Sequence, residues 1–346
     1  MAEVKIKIAA GTNVGLVRKN NEDNFIVNKD LTQDEWFVPQ SSESITMQEL
    51  GCILAVADGM GGTNAGEVAS AIAIETIQKE FASDVLKKVL AESDPDVLAK
   101  KVEKFLVSVI KSADLNIINA SKNDSSTQGM GTTIVLAWIV NNKAYISWCG
   151  DSRCYVFNPN AGICRLSKDH SYVQDLVDQG KLDYENAFSH PCSNIITRCL
   201  GDPSVRAVPD FRCYELKEGD TLLLCTDGLC GLCQDEEIIQ IMDENQSDIG
   251  NCKDRLIEAA LSAGGYDNVT VALCHCIDGN ETIKDDLNAT QYTLPKKSNF
   301  LRFLLVLLFL AAVFFVCYYF NAFNLKSDIV PSNVDSVMVQ KQDTMQ

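Results

Sequence analysis

The chain predicts an α+β fold of stacked layers, and three features carry that prediction. Short apolar runs with strand character come in groups. Long stretches of helical spacing interrupt those groups, and strands and helices do not alternate strictly as a doubly wound sheet would require. The 346 residues leave ample length for one large domain with its own core.

Taken in order, Val4, Ile6 and Ile8 alternate with lysines as a half-buried strand does, and residues 52–57 (CILAVA) read as a buried strand. Ala65, Val68, Ala69, Ile72, Ala73 and Ile77 then recur at helical spacing. So do Leu98, Val102, Phe105, Leu106, Val109 and Ala113, giving two long helices. Strands are expected at 132–140, 143–149, 153–157, 221–226 and 269–276, and helices at 171–179 (closed by Gly180), 235–243 and 252–263. The domain so defined covers residues 1–278. A polar, unpatterned linker follows at 279–299, and no charged residue occurs from Phe303 to Leu325. That predicts one C-terminal transmembrane helix over 300–325, since about twenty residues cross a hydrocarbon core of roughly 30 Å. Lys296, Lys297 and Arg302 precede the span and only Lys326 closely follows it, which places the large N-terminal part in the cytoplasm and a short tail, 326–346, outside. The expected location is the cytoplasmic membrane, crossed once.

A formal charge of −17 argues against nucleic acid as a partner, because a phosphate backbone selects a basic surface. The start MAEVKIKIAA has no signal-peptide pattern, and the 14 cysteines lie in apolar segments, as reduced core thiols do. Cys230 with Cys233, and Cys274-His275-Cys276, have zinc-ligand types, but a strand turns Cys274 and Cys276 to one face and His275 to the other.

Acids fall at the ends of apolar strands: Asp58 after CILAVA, Asp151 after YISWCG, Asp227 after TLLLCT and Asp267 before VTVALC. Any one of them passes as a turn former. Several converging at one edge would repel unless cations sat between them, and oxygen donors without His or thiolate select hard ions such as Mg²⁺ or Mn²⁺. Arg18, beside Glu22 and Asp23, adds a guanidinium suited to phosphate oxygens. The residues alone therefore reach a hard-metal enzyme acting on phosphate. Gly59-Met-Gly-Gly-Thr-Asn-Ala-Gly66 has Asn64 where a dinucleotide loop has its third glycine, and no P-loop or nucleophile elbow occurs. His170, His190 and His275 read as structural polar residues.

With these residues in view, the sequence resembles the metal-dependent protein phosphatases of type 2C, in their bacterial form. The matching motifs run in family order: VRxxNED (17–23), VADGMGG (56–62), GMGTT (129–133), GDSR (150–153), DHS (169–171), TRCLG (197–201), TDGL (226–229) and DNVT (267–270). The resemblance implies a four-layer α-β-β-α sandwich of two antiparallel sheets flanked by helix pairs. It implies that Asp58 bridges two Mn²⁺ or Mg²⁺ ions, that Asp227 and Asp267 complete one, and that Glu22 with the Gly59 carbonyl holds the other. Asp151, with Asp227, matches a weaker third site. Arg18 would bind the substrate phosphate and Asp23 would orient metal-bound water from behind. The implied reaction is direct attack of metal-activated hydroxide on phosphoserine or phosphothreonine of proteins, opposing a membrane Ser/Thr kinase.

Met60 stands where animal members carry a histidine, so the leaving-group acid is unassigned. Residues 30–50 form a longer connection than the compact bacterial form, and 170–200 match the family's flap. A catalytically silent docking or sensing module at the membrane is the alternative, and the intact Asp58, Asp227 and Asp267 speak against it.

Overall fold

The computed structural model describes residues 4–33, 35–36, 44–61 and 65–277, all within the first of the two units into which the chain divides, Met1–Leu294. The chain opens with strands β1 (Lys5–Asn13), β2 (Asp23–Asn28), β3 (Ile45–Thr46) and β4 (Cys52–Met60), followed by helices α1 (Gly66–Glu80), α2 (Ser83–Leu90) and α3 (Pro95–Asn123). Then come β5 (Gly131–Thr132), β6 (Ile134–Val140), β7 (Lys143–Cys149), β8 (Arg153–Asn158) and β9 (Gly162–Arg165). Two short helices, α4 (Tyr172–Asp178) and α5 (Tyr184–Ala187), lead to β10 (Asp210–Glu215) and β11 (Thr221–Cys225). Helices α6 (Asp227–Cys230), α7 (Asp235–Glu244) and α8 (Ile249–Ser262) precede the last strand, β12 (Val269–Cys276).

The strands form two antiparallel sheets, ordered β3-β1-β12-β11-β8-β9 and β10-β7-β6-β4-β2, with β5 paired to β4. Both faces of each sheet are covered. Ile6, Ile8, Leu222, Leu224 and Cys274 of one sheet meet Leu54, Val56, Val135 and Ile146 of the other in an apolar central layer. On the outer face of the second sheet, Ile53, Leu136 and Trp138 pack under Ile77, Leu106 and Ile110 of α1 and α3. On the outer face of the first, Leu223, Val271 and Leu273 pack under Leu229, Ile238 and Leu256 of α6 to α8. The alternation of side chains along each strand thus feeds two cores at once, and the result is the expected α-β-β-α sandwich.

Local chemistry explains the outer layers. Asp94 caps α3 by accepting from the amides of Asp96 and Val97, with Pro95 at the first helical position. Phe81, Phe105 and Trp138 meet at ring-centroid distances of 5.2 to 5.9 Å, clamping α1 and α3 to the sheet.

Some expectations need correction. Asp58 does not end its strand: β4 runs on to Met60, because its last residues pair with β5, Gly59 opposite Thr132 and Met60 opposite Gly131. Asp227 does not close a strand but opens the helical turn α6. The helix expected at 252–263 starts earlier, at Ile249, where Asp248 caps it. Strands β2, β3, β5, β9 and β10 and helices α2, α5 and α6 were not anticipated. Within residues 30–50, the described part contributes β3, an edge strand on β1.

Cys230 and Cys233 lie in the helix-side core, whereas Cys274 and Cys276 lie in the central layer on the other side of the sheet, so the two cysteine groups do not converge. Among the described residues no helix is long and apolar enough to cross a membrane. The expected linker (279–299), transmembrane helix (300–325) and tail (326–346) lie outside the described residues.

Candidate active site

Strand pairing gathers the acids at one edge of the sandwich. In the β2–β4 register Asp23 lies directly opposite Asp58. In the first sheet Cys225 of β11 is paired both with Arg153 of β8 and with Val271 of β12. Asp227 just beyond β11, Asp151 just before β8 and Asp267 just before β12 therefore emerge at the same end. The electrostatics agree with that placement. Burial pushes the Asp58 carboxyl well above the usual carboxylate range, and Asp227, Asp23 and Asp151 push it further. Asp227 is raised by burial and by Asp267 while sharing a hydrogen bond with Asp58. Asp151 is raised well above its ordinary value by burial and then by Asp227 and Asp169.

Asp23 is held from behind by hydroxyls. Its Oδ2 accepts from Thr270 Oγ1 at 2.6 Å and from Thr226 Oγ1 at 2.8 Å, and burial still lifts its pKa to about 7. Thr12 Oγ1 lies 2.7 Å from Thr270 Oγ1 and accepts from Asn21 Nδ2, so a hydroxyl chain runs from the acid to the loop before β2. That loop is pinned by Asn268. Its Nδ2 donates to the carbonyls of Val14 and Asn20, and its Oδ1 accepts from the Glu22 amide at 2.8 Å.

Arg18 sits on the same loop, about half exposed, and its Nη2 donates to Asp267 Oδ2 at 2.7 Å. Glu22 is seated by close backbone approach. Its carbonyl accepts from Ser70 Oγ at 2.7 Å and from the Gly59 amide at 3.2 Å. A Cβ on Gly66 would stand 2.5 Å from Glu22 Oε2, and one on Gly59 would collide with the Gly66 and Glu22 carbonyls. Only glycine permits that contact between β4, α1 and the acid loop. Burial raises the Glu22 pKa, with Arg18 opposing.

Among the described residues no three His, Cys, Asp or Glu side chains form a ready-made metal cage, and the acids pair with hydroxyls, with Arg18 and with each other. The donor chemistry nevertheless fits hard cations. The groups of Glu22, Asp58, Gly59, Asp151, Asp227 and Asp267 are all oxygens, and Glu67 Oε2, in the first turn of α1, is buried without a hydrogen-bond partner. A divalent ion would relieve the repulsion that drives these carboxyls upward.

The structure brings Asp58, Asp227, Asp151 and Asp23 together, with Arg18, Glu22 and Asp267 on the adjoining loops. Sequence reasoning assigned no role to Asn268, Thr226, Thr270 or Glu67. The first three lie in quoted motifs next to a predicted acid or within its strand, which was the available signal. All three histidines make polar contacts fitting structural roles: His170, stacked on Trp148, accepts from the Gly150 amide at 3.1 Å, His190 Nδ1 accepts from the Cys192 amide at 3.1 Å, and His275 lies 2.9 Å from Thr221 Oγ1.

Comparison with known proteins gives a consistent picture. The family model described as protein phosphatase 2C matches residues 24–261. The serine/threonine phosphatase stp of Listeria monocytogenes is 34% identical over 264 residues, covering 76% of this chain and 92% of that protein. The crystal structure of serine/threonine phosphatase Stp1 from Staphylococcus aureus superposes with a TM-score of 0.65 at 30% identity, covering 79% of this chain and 95% of that one. The catalytic domain of the serine/threonine protein phosphatase PstP, solved in complex with two manganese ions, superposes with a TM-score of 0.61 at 30% identity, covering 80% of this chain and all of that one.

Proposed function

The chain belongs to the protein phosphatase 2C family, and on that premise we propose how it removes phosphate from phosphoserine and phosphothreonine in proteins. Glu22, Asp58, the Gly59 carbonyl, Asp227 and Asp267 would hold two divalent ions, Mn²⁺ or Mg²⁺, with Asp151 and Asp227 offering a weaker third position. Such ions supply Lewis-acid charge neutralisation and an acidified water for in-line displacement at phosphorus. The observation that carries this assignment is the gathering of Asp23 and Asp58 from one sheet with Asp151 and Asp227 from the other at one edge of the sandwich, where Asp58 shares a hydrogen bond with Asp227, and the two manganese ions in the PstP relative support it.

Within that site the chain's own groups divide the work. Asp58, inside a strand and opposite Asp23, is the acid most crowded by others and so gains most from a cation. Arg18, already ordered by Asp267, presents a guanidinium that can take phosphate oxygens. Asp23, fixed through Thr226 and Thr270, orients water from behind the ligands. Met60 carries no proton to give, so the leaving alkoxide must be protonated by another group.

We propose further that residues 300–325 anchor the enzyme in the cytoplasmic membrane with the catalytic domain, residues 1–278, on the cytoplasmic side, where it opposes a Ser/Thr kinase. The uncharged run from Phe303 to Leu325 and the basic residues before it support this reading. The alternative of a silent docking module gains nothing from a site in which every expected acid is present.

The test is hydrolysis of para-nitrophenyl phosphate and of phosphothreonine peptides by the full chain in detergent, with Mn²⁺, with Mg²⁺ and with excess EDTA. Turnover that EDTA removes establishes the activity; silence under both metals in a folded protein returns the docking module. Alkaline carbonate extraction of membranes tests the anchor, and release of the chain into the supernatant would remove it.

A further inference from the structure

Next to Arg18 the surface carries an apolar patch that the phosphate chemistry does not use. Leu16 is 68% exposed, Val17 60%, Tyr266 63% and Val14 36%. Scattered exposed apolar residues need no explanation. These four come from two facing loops that the structure locks together. The Leu16 amide donates to the Gly265 carbonyl at 2.7 Å, and the Gly15 amide donates to Asn13 Oδ1 at 2.8 Å. Gly15 has a φ of +80°, and a Cβ there would collide with the Asp267 carbonyl. A Cβ on Gly265 would lie 2.8 Å from Leu16 Cγ, and one on Gly264 would strike the Tyr266 ring, so both side chains rest against the same double-glycine turn. The Arg18–Asp267 ion pair, at 2.7 Å, closes the two loops on the side of the acids.

The patch is therefore one fixed surface continuous with the phosphate-binding guanidinium, being formed by the residues immediately before Arg18 and immediately before Asp267. We propose that Leu16, Val17 and Tyr266 form a docking surface for apolar side chains flanking the phosphorylated residue of a protein substrate. This deepens the phosphatase reading and rests on it. Continuity with the phosphate-binding guanidinium makes a substrate segment the occupant. A phosphate held by Arg18 brings the polypeptide on either side of its phosphoresidue across neighbouring surface, and on this side that surface is apolar and preformed. Burial of an apolar side chain there favours such a substrate over one with polar flanks.

The experiment uses the full chain in detergent with Mn²⁺ and two phosphothreonine peptides identical except for their flanking residues, Leu and Val in one and Ser in the other. The wild type should show a kcat/KM for the apolar peptide about tenfold above that for the polar one. The double variant Leu16→Ser with Tyr266→Ser should bring the ratio close to one through loss on the apolar peptide alone, and Val17→Ser by itself should move it part of the way. A wild-type ratio near one, or an equal fall on both peptides in the variants, overturns the docking surface while the phosphatase reading stands. No turnover of either peptide or of para-nitrophenyl phosphate by the wild type overturns that reading, and the docking surface with it. Concentration-dependent dimerisation of the wild type that the double variant abolishes would make the patch a contact between copies of the chain, and would equally overturn peptide docking.

Discussion

Two regions of this protein bury carboxylates in company, and they reach opposite electrostatic states. At one edge of the sandwich, Asp23, Asp58, Asp151 and Asp227 crowd one another, and burial and mutual repulsion drive all four pKa values upward although Arg153 opposes the rise at Asp151 and, with half-exposed Arg18, at Asp227. A short way along β8 lies a second cluster. There Arg153 holds Asp169 through Nε at 3.0 Å and Nη2 at 2.7 Å, and Arg165 adds a contact at 3.3 Å. Asp235 takes the hydroxyls of Tyr155 and Tyr184 at 2.9 and 3.1 Å. Burial pushes Asp169 upward too, but the two guanidinium groups outweigh it and hold it below the usual carboxylate range. One cluster carries its countercharges within the chain; the other is short of positive charge. A buried acid cluster with internal cations is a piece of architecture, here tying α4, through Arg165 and Gln174, and α5, through Tyr184, to β8, β9 and α7, whereas the cluster left in deficit is where the proposed cations would be held.

The comparison breaks most sharply if one acid is removed from each region. Asp58→Ala should lower Mn²⁺-dependent hydrolysis by at least about a thousandfold, some 4 kcal/mol of barrier. Its urea midpoint in EDTA should hold or rise, because a repelling buried acid has gone. Asp169→Ala should instead destabilise the fold, because it removes the carboxylate that two buried guanidinium groups share, costing about 3–5 kcal/mol of stability. If denaturation in EDTA shows the same loss for both variants, the distinction between the clusters fails.

Next in size is the pH dependence. Asp23 has a folded pKa of about 7, raised from 3.8. Its contribution to stability is thus greatest below about 4 and is lost as pH rises toward 7, since the folded state binds the proton more tightly than the unfolded chain. Asp58 and Asp151 act in the same direction. Asp169, lowered, contributes above its unfolded value and is lost only as acid protonates it. In EDTA, the fall in melting temperature between pH 4 and 7 should be shallower in Asp23→Asn than in the wild type, and Mn²⁺ should flatten it in the wild type. An identical slope in wild type and variant would remove Asp23 from this account.

The smallest effect belongs to Arg18. Arg18→Ala should raise KM by roughly tenfold with a lesser change in kcat, as loss of ground-state phosphate binding does. Steady-state kinetics showing the opposite split would place its action in the transition state.

Much of the fold was legible because the covering layers press apolar periodicity into the strands and helices. β4, β6, β7, β11 and β12 are almost wholly buried runs, and α1 and α3 repeat their apolar residues every three or four positions. The elements missed are those without that imprint. β9 has only four residues, and β10, at the edge of the other sheet, has no fully buried position along DFRCYE. α6 is one turn, and β5 is two residues paired to the end of β4.

The acids were legible as types and positions, because a carboxylate beside an apolar strand is conspicuous in any sequence. The motif order then pointed to the family that the comparisons establish. The sequence by itself determined a layered α+β class and an oxygen-only set of candidate donors, since these depend on residue type and on periodicity along the chain, and its motif order carried the resemblance that implied four layers and a phosphoprotein substrate. Only the tertiary structure decided which carboxylates share an edge, that Asp23 faces Asp58, that Arg153 and Arg165 neutralise Asp169, and that Leu16 and Tyr266 rest on one double-glycine turn. Those relations join residues as far apart as 250 positions. They are fixed by strand register and loop closure across two sheets, and no local pattern along the chain encodes that pairing.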